Sequence, residues 1–185
     1  ILTPVTVASA LTVTGTGTLL SITARILSNY QGNFSRGYQS REDYLTINCT
    51  NVNGVDNWSP TYTTVTGTTR ERTCSGGVWL NGARDADLKA TFVISTGSLK
   101  VSRVTATNYI SETEAQNLFQ NIQYVNSKQD PSYGSENVRD VVFSVSEDQD
   151  GDFVGDTGYD TTNVVGTDRH TITVVGYNNP PVLTT

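Results

Sequence analysis

An all-β antiparallel sandwich with one short helix is the fold class this sequence predicts, and three observations carry that reading. Apolar and polar residues alternate over most of the chain, which is the period of a half-buried strand. Gly, Asn and Pro break the alternation at short intervals, as they do between the strands of a sandwich. With 185 residues, 36% of them hydrophobic and no Met, the chain has enough apolar material for one core, and it is read as a single module over residues 1–185.

The chain opens with residues 5–13 as a weak strand. Thr12, Thr14, Thr16 and Thr18 then recur at every second position, a row whose hydroxyls share one face of an extended strand. Such a row can match an ice surface or carry O-linked sugar, and β-propensity in a Thr-rich chain also produces it. Residues 3–18 have little apolar content and are expected to reach onto a neighbouring module as an added edge strand.

The clearest strands follow. Leu20, Ile22, Ala24 and Ile26 alternate with Ser21, Thr23 and Arg25; Ala90, Phe92 and Ile94 with Lys89, Thr91 and Val93; Val141, Phe143 and Val145 with Val142, Ser144 and Ser146. Weaker candidates are residues 43–48, 61–66, 77–80, 98–105, 122–126 and 169–175. The stretch 48–76 reads as a loop-rich insertion. One segment has a helical period: Ser111-Glu112-Thr113-Glu114 is a capping box followed by Ala115, Leu118, Phe119 and Ile122, so a helix over about 111–122 is expected to cross from one sheet to the other.

Cys49 and Cys74 are too few for a disulfide scaffold and, with the single His170, too few for a structural zinc site. A disulfide between them is the expected pairing, and closing that loop contributes roughly 3–4 kcal/mol by constraining the unfolded chain. Three sequons, Asn33-Phe34-Ser35, Asn48-Cys49-Thr50 and Asn57-Trp58-Ser59, make Asn33, Asn48 and Asn57 expected glycosylation sites on a secretory route to the cell exterior.

Charge is informative by position. Residues 1–140 hold eleven acidic and eleven basic side chains, so the net charge of −6 arises in residues 141–185. There Glu147, Asp148, Asp150, Asp152, Asp156 and Asp160 fall within 14 residues without a cation. Asp148-Gln149-Asp150-Gly151-Asp152 puts oxygen ligands on alternate residues with Gly at the bend, a spacing that suits Ca²⁺, although no Glu stands where an EF-hand needs it. A solvated acidic loop has the same composition. With no basic patch, nucleic acid is not an expected partner. With nothing near the ~18 consecutive apolar residues of a span, direct membrane insertion is not expected either.

Catalytic constellations are not legible. A Ser-His-Asp triad would have to use His170, which sits in a strand pattern, and no Gly-x-Ser-x-Gly motif is present. Ser75-Gly76-Gly77 precedes a strand rather than a helix and reads as a turn, not a phosphate loop. The chain is therefore expected not to be an enzyme. Trp58, Tyr62 and Trp79 could stack sugars, while Trp79 in Gly77-Val78-Trp79-Leu80 also suits a core position.

The helix and strand Ala115-Gln116-Asn117-Leu118-Phe119-Gln120-Asn121-Ile122-Gln123-Tyr124 are followed by the turn Asp130-Pro131-Ser132-Tyr133-Gly134. Then come the strand Arg139-Asp140-Val141-Val142-Phe143-Ser144-Val145, the acidic turn and Asn178-Asn179-Pro180-Pro181. This order over the second half resembles the cadherin-like and CSPG-type repeats of large surface proteins and adhesins. The resemblance implies an Ig/cadherin-like sandwich, an extracellular tandem module that extends, connects or adheres, with calcium commonly stiffening the connections. Both ends then read as cuts inside a longer chain, with residues 177–185 a linker to the next module. The expected partners are neighbouring modules of the same or identical chains. A carbohydrate- or surface-binding module, lectin-like or ice-binding-like, is the alternative function, with glycans as partners.

Overall fold

The computed structural model describes residues 4–14, 18–27, 38, 43–50, 53, 58–59, 63–65, 69–74, 76–127, 138–148, 163–165 and 169–173. Among them the elements run β1 (Val5–Thr6), β2 (Thr12–Thr14), β3 (Thr18–Ile26), β4 (Asp43–Thr46), β5 (Thr63–Val65), β6 (Thr69–Cys74) and β7 (Val78–Leu80). They continue with β8 (Ala83–Asp85), β9 (Leu88–Val93), β10 (Ser98–Arg103), α1 (Glu112–Gln120), β11 (Gln123–Asn126), β12 (Val138–Asp148), β13 (Asn163–Val165) and β14 (Arg169–Thr173).

A seven-stranded sheet in the order β14-β12-β3-β10-β9-β6-β5 forms one layer. The other consists of a three-stranded sheet, β1-β11-β4, whose strand β4 lies across β3, β9 and β10. Helix α1 and the ribbons β2–β13 and β7–β8 complete the cover. Every pairing among the described strands is antiparallel. The architecture is thus an all-β sandwich with one short helix, as the alternation predicts.

Strand β3 is the axis of the large sheet, and it departs from the sequence reading by one residue. Ser146 pairs with Ser21 but Glu147 pairs with Leu19, so Leu20 is an extra residue in β3, a β-bulge. Below the bulge Ile22, Ala24 and Ile26 face the core; beyond it the phase flips, and Leu19 is fully buried while Leu20 is only half-buried. Simple alternation placed Leu20 in the core. The bulge also re-aims the strand end, where Leu19 and Ile110 exchange backbone hydrogen bonds at 2.7 and 3.3 Å. Ile110 precedes the N-cap residue Ser111, so this contact anchors the approach to α1 on β3.

The helix is capped as its sequence dictates. Ser111 Oγ accepts from the Glu114 amide at 3.3 Å, and the Ser111 amide donates to the Glu114 carboxylate at 2.8 Å. Ala115, Leu118 and Phe119 are buried, and the Phe119 ring meets Phe143 of β12 edge to face with centroids 5.3 Å apart. Since β10 belongs to the large sheet and β11 to the small one, α1 makes the expected crossing between layers.

Residues 4–14 contribute more to the core than their composition suggests: Val7, Ala8, Leu11 and Val13 are buried, and β1 pairs with β11 at the edge of the small sheet. Two glutamines of α1 fasten this segment, Gln120 Nε2 donating to Leu11 O at 2.8 Å and Gln116 Oε1 accepting from the Val13 amide at 3.4 Å. The Thr row is divided as well. Thr12 and Thr14 lie on β2 against β13 whereas Thr18 opens β3 in the large sheet, so the hydroxyls do not line one strand. Residues 48–76 are not all loop, because β6 pairs with β9 and extends the large sheet. Residues 177–185 lie outside the described residues.

The bulge makes two adjacent leucines energetically unequal. Leu19→Ala should cost about 2–5 kcal/mol of unfolding free energy and Leu20→Ala about 1 kcal/mol or less, measured by chemical denaturation. Equal losses at the two positions, or a larger loss at Leu20, would contradict the bulged register.

Candidate functional site

Two groups of side chains join the layers. The first is the expected disulfide. Cys49 lies just beyond β4 of the small sheet and Cys74 ends β6 of the large one; both are buried, with Cα atoms 5.9 Å apart and a sequence separation of 25. A loop of that length contributes about 3.5 kcal/mol in the chain-entropy picture.

The tryptophans hold the segment that carries Cys49. Trp58 Nε1 donates to Ile47 O at 3.2 Å, and Trp79 Nε1 donates to Thr50 O at 2.7 Å while its amide reaches Asn48 O at 3.0 Å. Trp58 is half-buried against the core, and the Arg72 guanidinium lies 5.7 Å from its ring centre. The two indoles are therefore pegs for residues 47–50, and Tyr62, the third member of the suggested sugar platform, lies outside the described residues. Gly77 leads from this region into β7 with φ +91°, and a Cβ there would fall 2.6 Å from Asp85 O, so only glycine allows the β7–β8 hairpin to close over it.

Of the three sequon asparagines, Asn48 is described and exposed; Asn33 and Asn57 lie outside the described residues. Asn48 Oδ1 accepts from the Thr50 amide at 3.1 Å and from the Thr50 hydroxyl at 2.9 Å, an Asx turn across the sequon.

The second group was not legible as a site. Asp43 on β4, Tyr124 and Asn126 on β11, and Arg139 on β12 meet between the sheets. Arg139 Nε donates to Asp43 Oδ2 at 2.5 Å, while Tyr124 Oη and Asn126 Nδ2 donate to Asp43 Oδ1 at 2.6 and 2.9 Å. Both charged side chains are at most 1% exposed. Burial first, and then the Asp43 charge, hold the Tyr124 phenol protonated well above its ordinary range. The available signal was strand parity, since Arg139 is in phase with Val141 and Phe143, and Tyr124 with Asn126.

At the helix start, Arg103 at the end of β10 ties three elements together. Its Nη1 lies 2.5 Å from Asp85 Oδ2, its Nη2 2.6 Å from Glu114 Oε1, and its Nε donates to Tyr109 O at 3.1 Å. Next to it, the Asn108 amide and then Thr105 donate to Asp87, which lowers that carboxyl to a pKa of about 2. A shallow groove of about 460 Å³ runs past Thr18, Tyr109 and residues 110–114. Glu112 and Glu114 of the first helical turn lie along it, Glu114 paired with Arg103.

The acidic turn begins beside this groove. Glu147 and Asp148 end β12 and are buried; Tyr109 Oη donates to Asp148 Oδ2 at 2.7 Å and Thr18 Oγ1 to Asp148 O at 2.5 Å. Asp150, Asp152, Asp156 and Asp160 lie outside the described residues, and no group of three or more ligating side chains occurs among the described ones. His170 is paired in the backbone with Val141, and its side chain is outside the described set. Among the described residues no helix is long and apolar enough to cross a membrane. No family model, curated protein or solved structure matches the chain.

The Asp43–Arg139 contact should behave as a coupled pair. Asp43→Leu and Arg139→Met should each destabilise by about 3–5 kcal/mol, because either leaves a buried charge without its partner. The double variant should lose less than the sum, with a coupling of about 1–3 kcal/mol in a denaturation cycle. Additive losses would show that the pair does not bridge the sheets energetically.

Proposed function

We propose that this chain is a structural and adhesive repeat module of an extracellular filament, appendage or large surface protein, of the Ig/cadherin-like kind and without a catalytic role. One observation supports the reading most. The chemically distinctive groups described serve cohesion: the disulfide and a buried ion pair join the layers, and both indole N–H groups anchor the segment that carries Cys49. A module that extends a chain and makes module–module contacts needs that cohesion, and a disulfide is compatible with an oxidising exterior. The carbohydrate-binding alternative receives no comparable support, since its two described aromatic residues, Trp58 and Trp79, serve as pegs. Antibodies against the chain should label intact, unpermeabilised source cells along a surface structure, at a regular spacing by electron microscopy. Staining that appears only after permeabilisation would overturn the proposal.

Calcium belongs to the same reading, supported by the spacing of Asp148, Asp150 and Asp152 in the sequence. Asp148 is already engaged by Tyr109, so the ion would draw chiefly on the acids that follow. Millimolar Ca²⁺ should raise the melting temperature, chelator should reverse the gain, and Asp150→Ala with Asp152→Ala should abolish it. A melting temperature indifferent to both ion and chelator would remove calcium from the proposal.

A further inference from the structure

We propose that glycosylation of Asn48 and closure of the Cys49–Cys74 disulfide compete for the same tripeptide, so that Asn48 accepts an N-linked oligosaccharide only before the bond forms. The inference rests on the secretory placement proposed above. It grows from one juxtaposition: the middle residue of the sequon Asn48-Cys49-Thr50 is itself a bridged, buried cysteine, whereas the asparagine is exposed.

The folded tripeptide is held on every side. Cys49 is tied covalently to Cys74, Asn48 O accepts from the Trp79 amide, Thr50 O from the Trp79 indole, and Ile47 O, one residue earlier, from the Trp58 indole. A transferase must take the asparagine amide and the threonine hydroxyl into its own site, and lifting residues 48–50 out would break all of these contacts. The hydrogen bonds can open thermally; the S–S bond cannot. The fold nevertheless tolerates the product. Asn48 Oδ1 is occupied by Thr50, while Nδ2, the atom that would carry sugar, makes no hydrogen bond among the described residues.

The two reactions are chemically independent. In transfer, Asn48 Nδ2 forms a bond to the anomeric carbon of an oligosaccharide carried on a lipid pyrophosphate; the anomeric C–O bond breaks, the pyrophosphate leaves with the electron pair, and the amide proton passes to a base. In closure, the two thiols give up two electrons and two protons to a protein disulfide, which becomes a dithiol. Their order is set by synthesis. Cys74 follows Cys49 by 25 residues. At roughly 5–20 residues per second that separation leaves about 1–5 s in which the sequon has emerged without its bridging partner. Transfer in that interval gives a chain both glycosylated and bridged, and closure first gives a chain bridged and bare at Asn48.

The test is site-by-site occupancy by mass spectrometry of the full chain secreted from a glycosylating cell behind a leader peptide. In the unaltered chain Asn48 should be occupied in a minority of molecules. Cys74→Ser removes the bridge and leaves the sequon intact, and should bring occupancy to most molecules; Cys49→Ser should do the same, and Thr50→Ala should abolish it. Asn33, whose sequon contains no cysteine and lies outside the loop closed by the bridge, serves as the control and should not change with Cys74→Ser. If that variant is retained inside the cell, occupancy is read on the retained chains, and a reducing agent present during synthesis of the unaltered chain must also raise it. Equal Asn48 occupancy with and without Cys74, whether both full or both empty, would overturn the competition. The secretory placement fails separately, if the chain isolated from its source cells carries two free thiols and no sugar at any sequon.

Discussion

A carboxylate with no solvent has to be neutralised where it stands, and at Asp43 this requirement fixes the alignment of three strands in two sheets. Its two oxygens take donors from Arg139, Tyr124 and Asn126. Asn126 is the cross-strand neighbour of Asp43, so the amide contact is compatible with a single β4–β11 register. Arg139 comes from the opposite layer and is compatible with a single placement of β12 above it. Slipping either strand by one residue would turn its polar group away and leave a buried charge unmatched, a cost of several kcal/mol. Apolar packing alone tolerates such a slip far better, because Val, Ile and Leu can substitute for one another at modest loss.

The disulfide complements this polar contact by tying the layers between the segment after β4 and the end of β6. One of its cysteines ends β6, a strand of charged and polar residues. The tryptophans act locally in the same sense, each filling space with its ring and satisfying a backbone carbonyl with its N–H group. Arg103 does similar work at the helix start, gathering the β8 carboxylate, the N3 glutamate and a loop carbonyl around one guanidinium. The described polar side chains thus act mainly as fasteners between elements, which is how a chain of modest apolar content can keep one arrangement.

What the sequence made legible follows from the range of each signal. The helix was readable because its capping box and its apolar stripe are local and agree with each other. The middles of β9 and β12 were readable because alternation is local too. Leu19 was missed because a bulge is decided by pairing with β12, and nothing within β3 announces the extra residue. Strand β6, Thr-Arg-Glu-Arg-Thr-Cys, has no apolar run and is a strand because β9 offers it a partner. Short β8 and β13 owe their pairing to β7 and β2 in the same way. The sandwich class and the disulfide were legible from pattern and from cysteine count. The Asp43–Arg139 contact was not, because residues 96 positions apart meet only once the layers close.

The position of the disulfide has a mechanical consequence. Cys49 and Cys74 are joined across 25 residues that include β5 and β6. Tension applied along the backbone passes from one sulfur to the other, and the residues between them carry none of it. If the sandwich is pulled open, that loop stays folded back on itself and withholds roughly 80–90 Å of contour length, at about 3.3–3.6 Å per residue. The bond therefore limits how far the chain can stretch, and the redox state of its surroundings decides whether that limit applies.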